Sequence, residues 1–255
     1  MNESKRKIMP ISKQFKSVHE KTWEIYFSQC YSDGSLKFPQ LADLLQLTAS
    51  EHADNGGLGF KDLADYNQTW VLHSMRIEIS KMPRWSDFIQ VKTWIQQLKG
   101  FKSLRNFTVE RNGEVLIQVS SLWALFNMKS RRPDTLKIDI SHVKLFPNKT
   151  AIQGVHEKID LNFQAEHVYE KLVQFSHLDI VNHVNNIKYL EWCLNYVDPT
   201  IILENKVKAI DLNFIKELNL DDKFSIHKAT SEDKIFFKIL KGDKICFTCI
   251  IEIIK

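Results

Sequence analysis

The most constraining feature of this 255-residue chain is a series of predicted elements that occurs twice. In each half, one strand leads into a helix, and four further strand candidates follow. A single helix beside several long strands is typical of an α+β unit whose antiparallel sheet covers the helix. Such a sheet has edges to protect, and two adjacent units can pair their edges into one continuous sheet.

The first half begins with apolar and polar residues alternating over 19–30, which predicts a strand. A helix is predicted from about Pro39 to Ser50, because Pro39 suits a first turn and leucines recur at helical spacing. Asn112-Gly113 is the strongest hairpin signal in the chain. The four strand candidates of this half are Gln68–Ser80, Asp87–Leu98, Ser103–Arg111 and Glu114–Met128.

The second half repeats the pattern with a strand at Ala165–Ser176 and a helix at Asn186–Val197. Its four later strand candidates are Val207–Glu217, Lys223–Thr230, Lys234–Leu240 and Lys244–Ile254. The stretch 133–161 carries no long periodic element. We therefore predict a basic N-terminal tail at 1–18, an N-terminal unit at 19–135, a linker at 136–162 and a C-terminal unit at 163–255.

Composition excludes several classes of protein. A formal net charge of +4 is too small to indicate nucleic-acid binding. No apolar run is long enough to span a membrane, and the basic N-terminus lacks the apolar core of a secretory signal, so we expect a cytoplasmic protein without membrane insertion. No glycine-rich phosphate loop and no GxSxG motif is present, which disfavours nucleotide chemistry and an α/β-hydrolase.

The four cysteines do not form a disulfide scaffold in a chain of this length. Cys246 and Cys249 make a CxxC pattern inside a predicted strand. Residues three apart on a strand face opposite sides, so these two thiols are expected neither to pair nor to share a metal ion.

A dense polar cluster at 176–186 lies between the first strand and the helix of the second half. Free backbone N–H groups and the dipole at a helix N-terminus stabilise developing negative charge, so amides and imidazoles there suit catalysis. The alternative is that Asn185 or Asn186 is simply an N-cap and the histidines are solvated loop residues. Two basic clusters, around Arg105 and around Arg131, are likewise either solvated turns or docking patches.

At this cluster the chain resembles the acyl-ACP thioesterases of plants and bacteria, and the resemblance covers most of its length. The blocks that carry it are Gly59-Phe60, Trp70–Ile79, Pro83–Trp85, Ser121–Arg132, Leu178-Asp179 and His183–Trp192. The resemblance implies an α+β double hot-dog fold and hydrolysis of fatty acyl-[acyl carrier protein] to free fatty acid, which ends chain elongation.

The resemblance also implies the catalytic residues. The catalytic Asp and His of the family fall on Asp179 and His183, and its Glu falls on Glu217. Leu218 stands where plant members often have a cysteine, so water attack without a cysteine nucleophile is expected. The Asn of the family falls on Val181. We expect a one-residue bulge to bring the adjacent Asn182 into the site instead; the alternative is that the site lacks this amide and turns over more slowly.

The remaining expectations concern the substrate. We expect the N-terminal unit to form the acyl pocket, and the helix start to polarise the thioester carbonyl. The substrate-binding candidates are Val181, Asn185, Asn186, Met75, Trp94 and Trp123. No cofactor and no metal ion is expected, the partner is acyl carrier protein, and the protein is a monomer or a homodimer. An acyl-coenzyme A thioesterase of the same fold and a catalytically weak acyl-binding protein remain the alternatives.

Overall fold

The computed structural model describes residues 11–154 and 163–254, and its two halves have similar element orders. The strands of the first half are β1 Val18–Glu24, β2 Gln68–Ile79, β3 Phe88–Lys99, β4 Lys102–Arg111, β5 Glu114–Asn127 and the short β6 Arg132–Pro133. Those of the second half are β7 Glu166–Leu172, β8 Val207–Phe214, β9 Lys223–Thr230, β10 Lys234–Lys241 and β11 Lys244–Ile253. The helices are α1 Phe38–Asn55, α2 Phe60–Ala64, α3 Asn186–Leu194 and α4 Pro199–Leu203.

All of these strands belong to one antiparallel sheet of 11 strands. Its order is β1-β3-β4-β5-β2-β8-β11-β10-β9-β7, and β6 pairs with β5. The halves therefore join where β2 pairs with β8, with Arg76 opposite Asp211. The Arg76 guanidinium binds the Asp211 carboxylate and also Glu78 at 2.9 Å, so a largely buried ion cluster crosses this junction.

Helix α1 packs against β1 and β3, α3 packs against β11, and the two helices contact each other. In α1, Pro39 lies in the first turn, and Leu41, Leu45 and Thr48 are buried on one face. The helix continues to Asn55, five residues beyond the predicted Ser50, because the first left-handed residue in its path is Gly57, at φ 67°. Helix α3 is shorter than predicted and ends at Leu194.

The predicted strands are confirmed as elements, with three corrections at their ends. The alternation after β1 stops at Glu24, and a 3₁₀ turn at Phe27–Gln29 follows, so Phe27 is exposed instead of facing the core. Strand β7 ends at Leu172 in the same way, before a 3₁₀ turn at Phe175–His177. Strand β8 ends at Phe214 and not at Glu217, because Ile215 N–H and Lys216 N–H both turn to the Cys246 carbonyl.

The turn that follows the first strand has equivalent hydrogen bonds in the two halves. Isolated bridges join Cys30 to Leu36 and Leu178 to Val184, and each closes a tight turn. Leu36 N–H donates to the Pro83 carbonyl at 2.8 Å, and Val184 N–H donates to the Leu218 carbonyl at 3.0 Å. The same connection therefore enters the long helix in each half.

The predicted tail and linker extend partly beyond the described residues. Lys5, Arg6 and Lys7 of the tail lie outside them, as does 155–162 of the linker. The described end of the tail packs on α1, where the Phe15 ring stacks on His52 at 5.4 Å between centroids. Of the linker, 136–154 lies against the first half and buries Ile138 and Ile152. In the described part of the chain, no helix has the length and apolar character needed to cross a membrane.

Candidate active site

A hydrogen-bonded turn at 178–184 presents His183. Asp179 Oδ1 accepts hydrogen bonds from the backbone N–H of Val181 at 2.9 Å and of His183 at 3.2 Å. Backbone bonds from Asp179 N–H to the His183 carbonyl (2.8 Å) and from Asn182 N–H to the Asp179 carbonyl (3.1 Å) close the turn. The recorded contacts of Asp179 therefore hold the backbone that carries His183, not its ring.

Glu217 faces His183 because both backbone groups of the next residue, Leu218, are hydrogen-bonded to the helix α3 region. Leu218 N–H donates to the Tyr189 hydroxyl at 3.0 Å, and the Leu218 carbonyl accepts from Val184 N–H. Burial raises the pKa of the Tyr189 hydroxyl, so it stays protonated at neutral pH. These bonds place Glu217 Oε2 3.5 Å from His183 Nε2.

Arg131 contributes a third side chain from the first half. Its guanidinium hydrogen-bonds to Glu217 Oε2, the same oxygen that faces His183. From the sequence, Arg131 was expected to belong to a basic cluster that is either a solvated turn or a docking patch. Its closeness in sequence to Lys129 and Arg132 gave no sign that it reaches a carboxylate 86 residues away.

The start of α3 offers one free backbone donor. Asn185 is the N-cap, and its Oδ1 accepts from Ile187 N–H at 3.0 Å. Its side chain therefore has the capping role that the sequence offered as the alternative to catalysis. Val184 N–H and Asn185 N–H are used by the carbonyls of Leu218 and His177. Asn186 N–H has no recorded hydrogen bond to a described residue, and Asn186 lines the cavity beside His183.

The catalytic candidates open onto a cavity of about 930 Å³ that runs between both halves. Its walls from the first half come from α1, the segment 58–60, strands β2 to β5 and the turn after β5 that carries Arg131. Those from the second half come from the turn 179–187, from Tyr189 and from 214–217. Trp123 and Phe126 line it, as do Val181, Asn185 and Asn186.

Three predicted site residues do not line this cavity. Met75 is buried in the apolar core. Trp94 lies on the opposite face of β3 from Thr93 and Ile95, and its indole N–H donates to the Lys149 carbonyl at 2.9 Å. Asn182 occupies a left-handed position at φ 61° at the tip of the turn, exposed to solvent, while Val181 faces the cavity. The expected bulge that would deliver Asn182 is therefore absent.

A polar group lies where the cavity reaches β4. Arg105 is buried and hydrogen-bonds to His52 Nδ1 at 2.8 Å and to Thr93 Oγ1 at 3.1 Å. Burial lowers the pKa of Arg105 to about 10, and burial with the nearby Arg105 charge lowers that of His52 to about 3. At neutral pH Arg105 is thus a cation and His52 is neutral.

The cysteines are all free thiols. Cys246 and Cys249 are both buried in β11, and burial raises the pKa of Cys246. Leu218, beside Glu217, is completely buried. His177 is also structural, since its Nδ1 accepts from Gln174 N–H at 2.9 Å and its ring packs edge-on against Trp192.

Two family models match almost the whole chain: the acyl-ACP thioesterase N-terminal domain over residues 16–143 and the acyl-ACP thioesterase C-terminal domain over residues 160–245. The chain belongs to the acyl-ACP thioesterase family. The predicted resemblance is therefore confirmed, and the cavity described above runs between the regions that the two models match.

Individual members of the acyl-ACP thioesterase family are distant relatives. A palmitoyl-acyl carrier protein thioesterase of Gossypium hirsutum is 27% identical over 218 residues, which are 80% of this chain and 53% of that protein. An oleoyl-acyl carrier protein thioesterase of Coriandrum sativum is 26% identical, over 78% of this chain and 60% of that protein. The chain thus spans little more than half the length of these chloroplastic relatives.

Solved structures of the family share the fold. An acyl-ACP thioesterase from Bacteroides thetaiotaomicron superposes with a TM-score of 0.85 at 22% identity, over 92% of this chain and 97% of that chain. A 12:0-ACP thioesterase from Umbellularia californica superposes with a TM-score of 0.80 at 19% identity, over 93% of this chain and 97% of that chain. The likeness thus extends over both halves of the sheet.

Proposed function

We propose that this protein hydrolyses fatty acyl-[acyl carrier protein] thioesters to free fatty acid and carrier protein, which ends elongation. The observation that carries the proposal is the pairing of His183 Nε2 with Glu217 Oε2, 3.5 Å apart, at a cavity of about 930 Å³. Membership of the acyl-ACP thioesterase family supports the substrate class. A cavity of this size suits a long apolar ligand.

The chemistry that we propose uses water as the nucleophile. His183 and Glu217 orient a water molecule and take its proton as its oxygen attacks the thioester carbonyl carbon. The oxyanion that forms accepts a hydrogen bond from Asn186 N–H at the start of α3. The carbon–sulfur bond then breaks, and the departing sulfur takes up the proton from His183, which gives free fatty acid and the thiol of the carrier protein and restores the base. General base assistance contributes roughly 10²- to 10⁴-fold, and one oxyanion donor roughly 10²- to 10³-fold.

The two halves have different proposed roles, within what we propose is a double hot-dog fold. Residues 19–135 form most of the acyl pocket, and 163–255 carry the catalytic residues, separated by the linker 136–162. The repeated turn supports this division, because His183 is replaced by Ser35 at the equivalent position and Asp179 is replaced by Tyr31. The cytoplasmic location and the monomeric or homodimeric state stay predictions.

The test is hydrolysis of saturated acyl chains of increasing even length, on acyl carrier protein and on coenzyme A. His183→Ala, Glu217→Ala and Asp179→Ala should each lower kcat by at least about 10²-fold with the fold retained. Ser35→Ala alters the equivalent turn of the first half and should leave kcat near that of the parent. Near-parent turnover of His183→Ala refutes the site.

The same assay separates the alternatives. A higher kcat/KM for acyl-coenzyme A than for the matched acyl-[acyl carrier protein] favours a coenzyme A thioesterase. Tight binding of non-hydrolysable analogues without turnover favours an acyl-binding protein.

A further inference from the structure

We infer that Arg131 is a positioning residue for the reaction, supplied by the first half to the catalytic carboxylate of the second. The inference rests on the proposed function. Its basis is the contact of the Arg131 guanidinium with Glu217 Oε2, at the wall of the cavity that both residues line. Arg131 would act through Glu217 and not on the substrate.

The turn between β5 and β6 is built to hold Arg131 in place. Asn127 Oδ1 accepts hydrogen bonds from the backbone N–H of Lys129 and of Ser130, both at 3.0 Å. Arg131 N–H donates to the Asn127 carbonyl at 2.9 Å. Asp134 anchors the far side, where its Oδ2 accepts from Gln68 Nε2 at 2.9 Å. The backbone below the guanidinium is therefore fixed from several directions.

Arg131 occupies this turn at an energetic disadvantage. Its φ is +56°, in the left-handed region that glycine or asparagine adopts more easily. A long cationic side chain at such a position is not favoured by backbone conformation. Retained strain of this kind points to a role for the side chain, which here is its contact with Glu217.

The two carboxylate oxygens of Glu217 have different contacts. Oε2 is shared by Arg131 and His183, whereas Oε1 has no recorded hydrogen bond to a described residue. A guanidinium on Oε2 fixes the orientation of the carboxylate. Oε1 is then the oxygen left to accept a hydrogen bond from the attacking water. Without Arg131, the carboxylate can rotate away from that position.

Two simpler roles for Arg131 give different experimental results. A surface ion pair adds little to the free energy of unfolding, and the Arg131 side chain is 59% exposed. A pure surface pair therefore leaves kcat unchanged. A carrier-docking cation would affect KM for the carrier-bound substrate, would not affect a small thioester, and would share its effect with the neighbouring Arg132.

The experiment compares Arg131→Met with Arg131→Lys and with the matched control Arg132→Met. Arg, Met and Lys all carry a Cβ, so these variants of Arg131 keep the same backbone strain, and Arg131→Gly removes both the strain and the charge. Each variant is assayed with acyl-[acyl carrier protein] and with a small neutral acyl thioester, beside thermal unfolding to verify the fold.

We expect Arg131→Met and Arg131→Gly to lower kcat by about 10- to 10²-fold on both substrates, since small misplacements of a catalytic group have effects of that order. KM should change little. Arg131→Lys should recover part of the loss, because it keeps the charge but not the forked geometry. Added guanidinium ion should raise kcat of Arg131→Gly. Arg132→Met should match the parent.

The outcomes separate this inference from the proposed function. If the parent hydrolyses acyl-[acyl carrier protein] and folded Arg131→Met has the same kcat, the positioning role is wrong and the proposed function stands. An effect confined to KM for the carrier-bound substrate also overturns it in favour of docking. A parent without activity on any acyl thioester overturns both.

Discussion

Asn182 and Gly34 occupy the same position in two copies of one turn, at φ 61° and 83°. In the first copy the chain uses glycine, which adopts this conformation freely. In the second copy it uses asparagine, which adopts it more readily than other residues with a Cβ. The recorded geometry gives Asn182 a conformational role and leaves its side chain outside the cavity.

Asn182→Gly should therefore retain kcat close to that of the parent, because glycine keeps the turn. Asn182→Ala should lower the free energy of unfolding by about 1 kcal/mol, since alanine is strained in the left-handed region. The kcat of Asn182→Ala should fall only to the extent that relief of this strain shifts the turn that carries His183. Chemical denaturation and steady-state kinetics measure the two effects. A kcat loss near 10²-fold in a stable Asn182→Gly protein would instead mean that the amide takes part in catalysis.

Val181 is the position at which an amide could still be added to the site. Its side chain faces the cavity two residues before His183, and valine cannot donate a hydrogen bond to a carbonyl. Val181→Asn should raise kcat, by at most the roughly 10²- to 10³-fold that one oxyanion donor provides. Val181→Ala is the control for lost volume and should be mild. Unchanged or lower kcat in a folded Val181→Asn protein would show that the site has no place for the amide.

The sequence predicted most of the fold because the elements are local and repeated. Alternation and helical spacing located both long helices and every long strand, while errors were confined to the ends. Glu217 illustrates the limit: its sequence continues the β8 pattern, yet the Cys246 carbonyl draws Ile215 N–H and Lys216 N–H out of the ladder. That contact joins distant parts of the chain and leaves no local signal.

The site was less predictable for the same reason. The resemblance indicated His183 and Glu217, which lie together, but the contact of Arg131 depends on a turn in the other half. Asn182 was expected to enter the site through a one-residue bulge, whereas the chain makes a left-handed turn there and leaves Asn182 exposed. Trp94 was assigned to the pocket by residue type, and the period of the strand directs it to the other face.

Tyr189 links α3 to the segment that carries Glu217, through its hydroxyl and Leu218 N–H. Tyr189→Phe leaves that buried N–H without its partner, which should lower the free energy of unfolding by about 1–3 kcal/mol. It should also lower kcat, by up to about 10²-fold, because Glu217 is no longer held against His183. Tyr196→Phe, also from the α3 region, is the control. If Tyr189→Phe loses stability while kcat is unchanged, the bond is structural only.

The last prediction follows from the proposed function and concerns how acyl carrier protein would reach the cavity. Acyl carrier protein is acidic, so basic side chains at the rim should speed encounter and salt should weaken it. Lys216 is exposed at the rim beside Glu217. Raising ionic strength should therefore lower kcat/KM more for acyl-[acyl carrier protein] than for a neutral short-chain thioester.

Lys216→Gln should reduce that salt dependence without changing kcat for the short-chain thioester, because it removes a steering charge and leaves the His183–Glu217 pair in place. Lys208→Gln is the matched control, since it removes an equal charge from an exposed position near the opposite end of β8. Both variants carry the same net charge. A difference between them in how steeply kcat/KM for acyl-[acyl carrier protein] falls with ionic strength therefore reports the local electrostatic field at the cavity. Equal slopes for the two variants, or equal salt dependence for both substrates, would mean that the cations at the rim are only solvated and that another surface receives the carrier.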